Sequence, residues 1–134
     1  MSPTIYLDSS AIVKVVVQEP GWPALEMYLR DHPSRSASRV ASVEVRRALG
    51  RVDGLEGVAL TARLRLAFQG LSIIEFDAEI ASAAAELRPA TLRSLDAVHL
   101  ASALELGDDL VAVVTYDSRM LAAAKELGIA TASP

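Results

Sequence analysis

Thr4-Ile5-Tyr6-Leu7-Asp8-Ser9-Ser10-Ala11-Ile12-Val13-Lys14 begins as a strand and ends as a helix. Its first four residues include β-branched, aromatic and aliphatic side chains and follow Pro3. Hydrophobic period alone does not separate a short buried strand from a buried helix, so the flanks decide. Capping residues come next, which makes residues 4–7 the strand and Ser9 or Ser10 the start of the helix. Asp8 then stands at the carboxyl end of the first strand, the edge at which open α/β sheets bind ligands. The dipole of the following helix favours an anion there. Asp8 and Ser10 are two residues apart and point the same way while the backbone stays extended. Taken alone, Asp8 reads first as a helix N-cap.

Working outward, strand and helix patterns alternate. Helix continues to about residue 17 and stops at the breaker cluster Gln18-Glu19-Pro20-Gly21-Trp22-Pro23. Residues 24–31, 40–52, 55–69, 78–87, 94–106 and 118–127 read as helices. Residues 36–38, 71–76, 111–115 and 129–131 read as strands, with 111–115 the clearest. Such alternation predicts parallel pairing with right-handed crossovers. The 134 residues fit one domain, 1–134. Half of the residues are hydrophobic and mean hydropathy is +0.31, which suits a sheet buried on both faces by helices.

Composition excludes several chemistries. Without cysteine there is no thiolate catalysis, disulfide or cysteine–zinc site. Two histidines, His32 and His99, are too few for a multi-histidine metal centre. Neither a dinucleotide-binding glycine motif nor a phosphate-binding loop motif is present. No signal-peptide pattern or membrane-length apolar run occurs, so a soluble cytoplasmic protein is expected. The net charge of −4 is uneven. Residues 30–65 hold eight basic and four acidic side chains, whereas residues 71–134 hold ten acidic and four basic ones. A basic stretch of this kind is either a polyanion-binding face or solvated helix surface.

Three further acids follow the logic of Asp8. Asp117 comes after a strand and before a helix, two residues beyond Thr115, so two strand ends each deliver an acid and a hydroxyl. Asp96 lies in the first turn of Ser94-Leu95-Asp96-Ala97-Val98-His99-Leu100-Ala101-Ser102-Ala103-Leu104, a helix apolar on nearly every side. It is either a dipole-favoured first-turn acid or a carboxylate that needs a partner. His99, one turn on, either pairs with Asp96 or is a satisfied core histidine. Glu44, with Arg47 at i+3, reads by itself as exposed helix surface. Four carboxylates brought together repel and call for a cation. Mg²⁺ and Mn²⁺ take oxygen ligands, polarise phosphoryl oxygens and activate water, which suits phosphodiester hydrolysis. The hydroxyls of Ser10 and Thr115 could hold ligand waters.

These motifs, in this order, resemble the PIN-domain ribonucleases, most closely the VapC-type toxins of toxin–antitoxin modules. Leu7-Asp8-Ser9-Ser10-Ala11-Ile12-Val13-Lys14 resembles the opening D-x-S motif with its trailing lysine. Ala41-Ser42-Val43-Glu44-Val45-Arg46-Arg47-Ala48-Leu49 resembles the helix bearing the second acid. Leu95-Asp96-Ala97-Val98-His99-Leu100-Ala101-Ser102-Ala103 resembles the third acid motif, and Thr115-Tyr116-Asp117 the closing T-x-D. The resemblance implies a three-layer α/β/α sandwich around a parallel sheet and a Mg²⁺- or Mn²⁺-dependent endoribonuclease. It implies Asp8, Glu44, Asp96 and Asp117 as metal-binding and catalytic acids, with Ser10 and Thr115 as supporting hydroxyls. It also implies RNA as substrate, a small DNA-binding antitoxin as partner, and a homodimer. The basic stretch would supply phosphate contacts, with Arg39, Arg46 and Arg47 nearest Glu44. Two other classes compete. One is an aspartyl phosphatase or phosphoacceptor with Asp8 as nucleophile, although Ser10 stands where such enzymes carry a second acid. The other is a catalytically silent binding module on the same scaffold.

Overall fold

The computed structural model describes residues 2–134. Its core is a five-stranded, wholly parallel sheet in the order β3-β2-β1-β4-β5. The chain runs β1 (Thr4–Leu7), α1 (Ser9–Val17), α2 (Trp22–Asp31), β2 (Arg35–Ser38), α3 (Val40–Leu49) and α4 (Gly57–Phe68). It continues through β3 (Leu71–Ile74), α5 (Ala78–Glu86), α6 (Ser94–Leu104), β4 (Leu110–Val114), α7 (Ser118–Glu126) and β5 (Thr131–Ala132). From β1 the chain winds outward to β3, then crosses back to β4 on the other side of β1. The order reverses between β1 and β4, so their adjacent carboxyl ends form the switch-point crevice.

Alternation along β1 explains the two covering layers. Ile5 and Leu7 pack with Ile12, Leu25, Leu29, Val45, Leu49 and Leu60, which come from α1 to α4. Tyr6 points to the opposite face, against Leu100, Met120 and Ala124 of α6 and α7. All four β1 residues are buried. Helix α6 is covered from residue 97 to residue 103, so it is the central helix of its layer. The expected α/β/α arrangement is therefore the observed one.

Element ends shift where local chemistry overrides periodicity. Helix α2 starts at Trp22, two residues early, because Pro23 is tolerated in a first turn that needs no internal N–H bond. Helix α3 stops at Leu49, where Gly50 follows. Strand β3 ends at Ile74 because Phe76 is half exposed and Glu75 turns out to an arginine. Ile129 is drawn into the core beside α7, which moves β5 to Thr131–Ala132. Among the described residues no helix is long and apolar enough to cross a membrane.

The core predicts its own mutational profile. Leu100 is fully buried, so Leu100→Ala removes apolar burial and leaves a cavity, lowering unfolding free energy by about 2–5 kcal/mol. Leu95, on the same helix but 48% exposed, changes stability by less than about 0.5 kcal/mol on truncation. Urea unfolding of the two variants checks the contrast.

Candidate active site

Two strand-to-helix turns are sewn together at the switch point. Asp8 follows β1 and caps α1, with its Oδ1 accepting the Ala11 N–H at 3.0 Å. The same oxygen accepts the Ser10 hydroxyl at 2.6 Å, and Oδ2 accepts the Thr115 hydroxyl. Each hydroxyl in turn receives a backbone N–H from the β4–α7 turn. Tyr116 N–H donates to Ser10 Oγ at 2.9 Å, and Asp117 N–H to Thr115 Oγ1 at 3.1 Å. Asp8 is 3% exposed and Thr115 fully buried. The N-cap and the site readings of Asp8 thus describe one carboxylate doing both. Asp77 serves as the contrast: it caps α5 through Ile80 N–H after β3 but is exposed and carries no such network.

The Ser10 and Thr115 hydroxyls give their protons to Asp8. Burial pushes the Asp8 carboxyl above its ordinary range. Hydrogen bonds from Ser10, Thr115 and Ala11 pull against that without cancelling it.

Asp117 caps α7 by accepting the Arg119 N–H at 2.8 Å. Asp96, in the first turn of α6, is half-buried and close enough to Asp117 for their charges to couple. Its carboxyl is also pushed up, by burial first and then by Asp117, with a smaller push from Glu44; His99 and Arg93 oppose this. Glu44 behaves in the opposite way. Burial raises its pKa, but hydrogen bonds from His99 and Ser9 more than offset that and hold it low. Oε1 accepts Ser9 Oγ–H and His99 Nε2, each at 2.6 Å. Glu44 is therefore not bare helix surface with Arg47 as partner. His99 is the satisfied core histidine of the two readings, 2% exposed, and its carboxylate partner is Glu44 rather than Asp96. Ser9 went unnoticed in the sequence, and its position beside Asp8 was the signal.

The basic candidates separate. Arg39 forms a two-pronged ion pair with Glu75, Nε to Oε1 at 2.8 Å and Nη2 to Oε2 at 2.7 Å. Arg46 and Arg47 are exposed in the last turn of α3. Lys14, the lysine trailing the first motif, lies 4.3 Å over the Tyr116 ring and donates to the Pro20 carbonyl at 2.6 Å. The acids therefore occupy an edge whose hydroxyl and amide donors are shared among Asp8, Glu44 and Asp117. Beside it, a cleft of about 330 Å³ between α6 and α7 is lined by Arg93, Asp96 and Arg119. A larger groove of about 420 Å³ among α1, α2 and α4 touches none of the four acids.

The donor set suits a hard divalent cation, being carboxylate oxygen with uncompensated repulsion between Asp96 and Asp117. Among the described residues, no group of three or more Asp, Glu or His side chains stands close enough together to hold a metal ion. Mg²⁺ commonly binds through one or two carboxylates and keeps several waters, so an open acidic edge is compatible with it.

A PIN-domain family model matches residues 5–126. The chain is 47% identical over 92 residues to Ribonuclease VapC46 of Mycobacterium tuberculosis, covering 69% of this chain and 68% of that protein. It is 38% identical over 98 residues to Ribonuclease VapC47 of the same species, with the same shares covered. Among solved structures, VapC20 of M. tuberculosis, described as a Sarcin-Ricin loop cleaving toxin, superposes with a TM-score of 0.73. That match has 16% identity and covers 97% of this chain and 99% of that one. A chain of the Rickettsia felis VapBC2 complex bound to promoter DNA gives 0.68 at 16% identity, covering 96% of each chain. At that identity the two structures attest the fold.

The shifted carboxyls make stability depend on pH. Asp8 and Asp96 have raised folded pKa values, so their contribution is complete below the unfolded value of about 4 and is lost as pH rises through the folded values. Glu44, held low, contributes stability above its ordinary value and loses it as pH falls through its folded value. In metal-free buffer the melting temperature falls as pH rises above the ordinary carboxyl value of about 4 toward neutrality, and Mg²⁺ raises it again at neutral pH. Asp8→Asn removes most of that fall. Thermal melts across this range check it; a flat wild-type profile with no Mg²⁺ response contradicts it.

Proposed function

Since the chain belongs to the PIN-domain family, we propose that it is a Mg²⁺- or Mn²⁺-dependent endoribonuclease, the toxin of a toxin–antitoxin module. The observation that carries this reading is the switch point. The β1 and β4 ends are joined through Asp8, Ser10 and Thr115, with Asp117 capping the next helix and Asp96 electrostatically coupled to it. The 47% identity to a ribonuclease supplies the reaction class.

In this proposal Asp96 and Asp117 hold the cation, with Asp8 and Glu44 completing the acidic edge. When bound, the ion polarises a phosphoryl oxygen and makes a bound water more acidic. The chain's own residues do the rest. Asp8 locks two turns so that Asp96 and Asp117 keep their separation. Ser9 and His99 keep Glu44 ionised and hold one of its oxygens in place. Arg46 and Arg47, exposed on the helix that carries Glu44, contact substrate phosphates and position the strand without reading its sequence. Arg39 takes part only by exchanging Glu75 for phosphate. A small DNA-binding antitoxin, a homodimer and a cytoplasmic location complete the proposal, and residues 1–134 make up its single PIN domain.

The phosphatase reading loses ground on geometry. Both oxygens of Asp8 already accept hydrogen bonds, and the residue two positions on is a serine donating one of them. A nucleophile held this way has little freedom to attack phosphorus.

Purified protein incubated with total RNA cleaves it only when Mg²⁺ or Mn²⁺ is present. Outer-shell changes alone cost metal sites about 10–100-fold, so Asp96→Asn, a direct change, lowers cleavage by more than about 100-fold. Asp108→Asn, in the exposed turn before β4, leaves cleavage intact. Binding of RNA to an inactive Asp96→Asn protein tests the basic residues. Changing Arg46 and Arg47 to Ala weakens binding and reduces the salt slope by about 0.7 for each phosphate no longer neutralised. An unchanged slope makes these arginines solvated surface.

A further inference from the structure

Helix α6 carries a buried imidazole between two partners. His99 is 2% exposed, with Nδ1 2.6 Å from the Tyr6 phenol oxygen and Nε2 2.6 Å from Glu44 Oε1. The Tyr6 and His99 rings meet edge-on, 5.9 Å apart with 72° between their planes. A carboxylate oxygen only accepts hydrogen bonds, so the Nε2 end must carry a proton. The phenol end is settled by its surroundings. Tyr6 is fully buried, and burial with the nearby Asp8 charge keeps its hydroxyl protonated. The Ser38 backbone N–H faces the phenol oxygen as a donor, and the Ser102 hydroxyl donates to the Val98 carbonyl. The phenol's close partner among the described residues is His99 Nδ1, and with the Nε2–H committed to Glu44 a neutral ring leaves Nδ1 to accept the phenol's proton. Nδ1 accepts, and a neutral ring then has its single proton on Nε2.

We propose that His99 is a positioning residue for Glu44, held as the Nε2–H tautomer by the phenol of Tyr6. This rests on the ribonuclease reading above and adds to it residues that none of the acid motifs requires. The geometry explains why Glu44 needs such a device. Glu44 stands on α3, in the layer opposite α6, on a partly exposed stretch where its side chain has several rotamers available. The Nε2–H and the Ser9 hydroxyl converge on Oε1. Oε2 is left without a protein donor among the described residues and stays available to a ligand. The relay ends at a fully buried phenol, so it fixes an orientation rather than conducting a proton to solvent. With Nδ1 protonated instead, the Nε2 lone pair would face the carboxylate and drive it away.

The test uses the full chain. Nitrogen-15 spectra of the metal-free wild type show His99 with a protonated Nε2 and an unprotonated, hydrogen-bonded Nδ1. Tyr6→Phe keeps the ring volume and removes the donor; it mixes the tautomers and weakens Mn²⁺ binding, measured by calorimetry, by about 10–100-fold. His99→Leu produces the same loss, and His99→Gln, whose amide still offers a donor toward Oε1, restores most of the affinity. A His99 ring protonated on Nδ1 in the wild type overturns the proposal. So does a Tyr6→Phe protein that binds Mn²⁺ and cleaves RNA as the wild type does. If His99→Leu does not fold, Tyr6→Phe and the wild-type spectrum still decide. A wild type that binds Mn²⁺ yet cleaves no RNA refutes the ribonuclease reading and leaves the His99 result standing on its own.

Discussion

Everything at the functional edge depends on one carboxyl group held where water hardly reaches it. Asp8 is 3% exposed, and an ionised group so placed must be given donors in place of solvent. It has three: a backbone N–H from its own helix and the hydroxyls of Ser10 and Thr115. Those hydroxyls are themselves fixed by N–H groups of the β4–α7 turn. Burying the acid therefore forces two turns, more than a hundred residues apart in the chain, into one arrangement. The spacing of two between Asp8 and Ser10, and between Thr115 and Asp117, is what lets each turn supply both a hydroxyl and a carboxyl or amide.

Around that fixed carboxyl group the other acids are made unlike one another. Glu44 is held ionised by donors from Ser9 and His99. Asp96 resists ionisation because it is half-buried beside Asp117. One carboxylate is satisfied by the protein and the other is left with a repulsion that a cation would relieve. That difference of environment, rather than the number of acids, is what the proposed divalent ion would exploit. The same contrast separates Asp77, a solvated cap at the end of β3, from Asp8 and Asp117.

The basic stretch shows how charge in a sequence divides once it is folded. Arg39 is occupied by Glu75 across the β2–β3 edge, a pair exposed enough to be worth little in stability but sufficient to set the arginine's direction. Outside that stretch, Lys14 folds back over Tyr116 and onto the Pro20 carbonyl. Arg46 and Arg47 remain on the solvent side of α3. Charges counted together as one basic segment thus face different neighbours and do different work.

Sequence by itself determined the order of elements, the parallel sheet and the strand-end positions of Asp8 and Asp117. These depend on local patterns: apolar runs, caps and breakers act over a few residues and survive in the linear record. It also marked Asp96 as an acid in an apolar helix and, through motif order, the family. Tertiary structure alone decided what each polar group touches. Glu44 looked like solvated surface because its partners, Ser9 and His99, lie 35 and 55 residues away. His99 looked like a bystander because Tyr6 reaches it from the far end of the chain, across 93 residues. Ser10 and Thr115 looked free because only the pairing of β1 with β4 brings both to Asp8. Hydrogen bonds over such separations are set by the strand order and by which face each helix covers, and no local period encodes them.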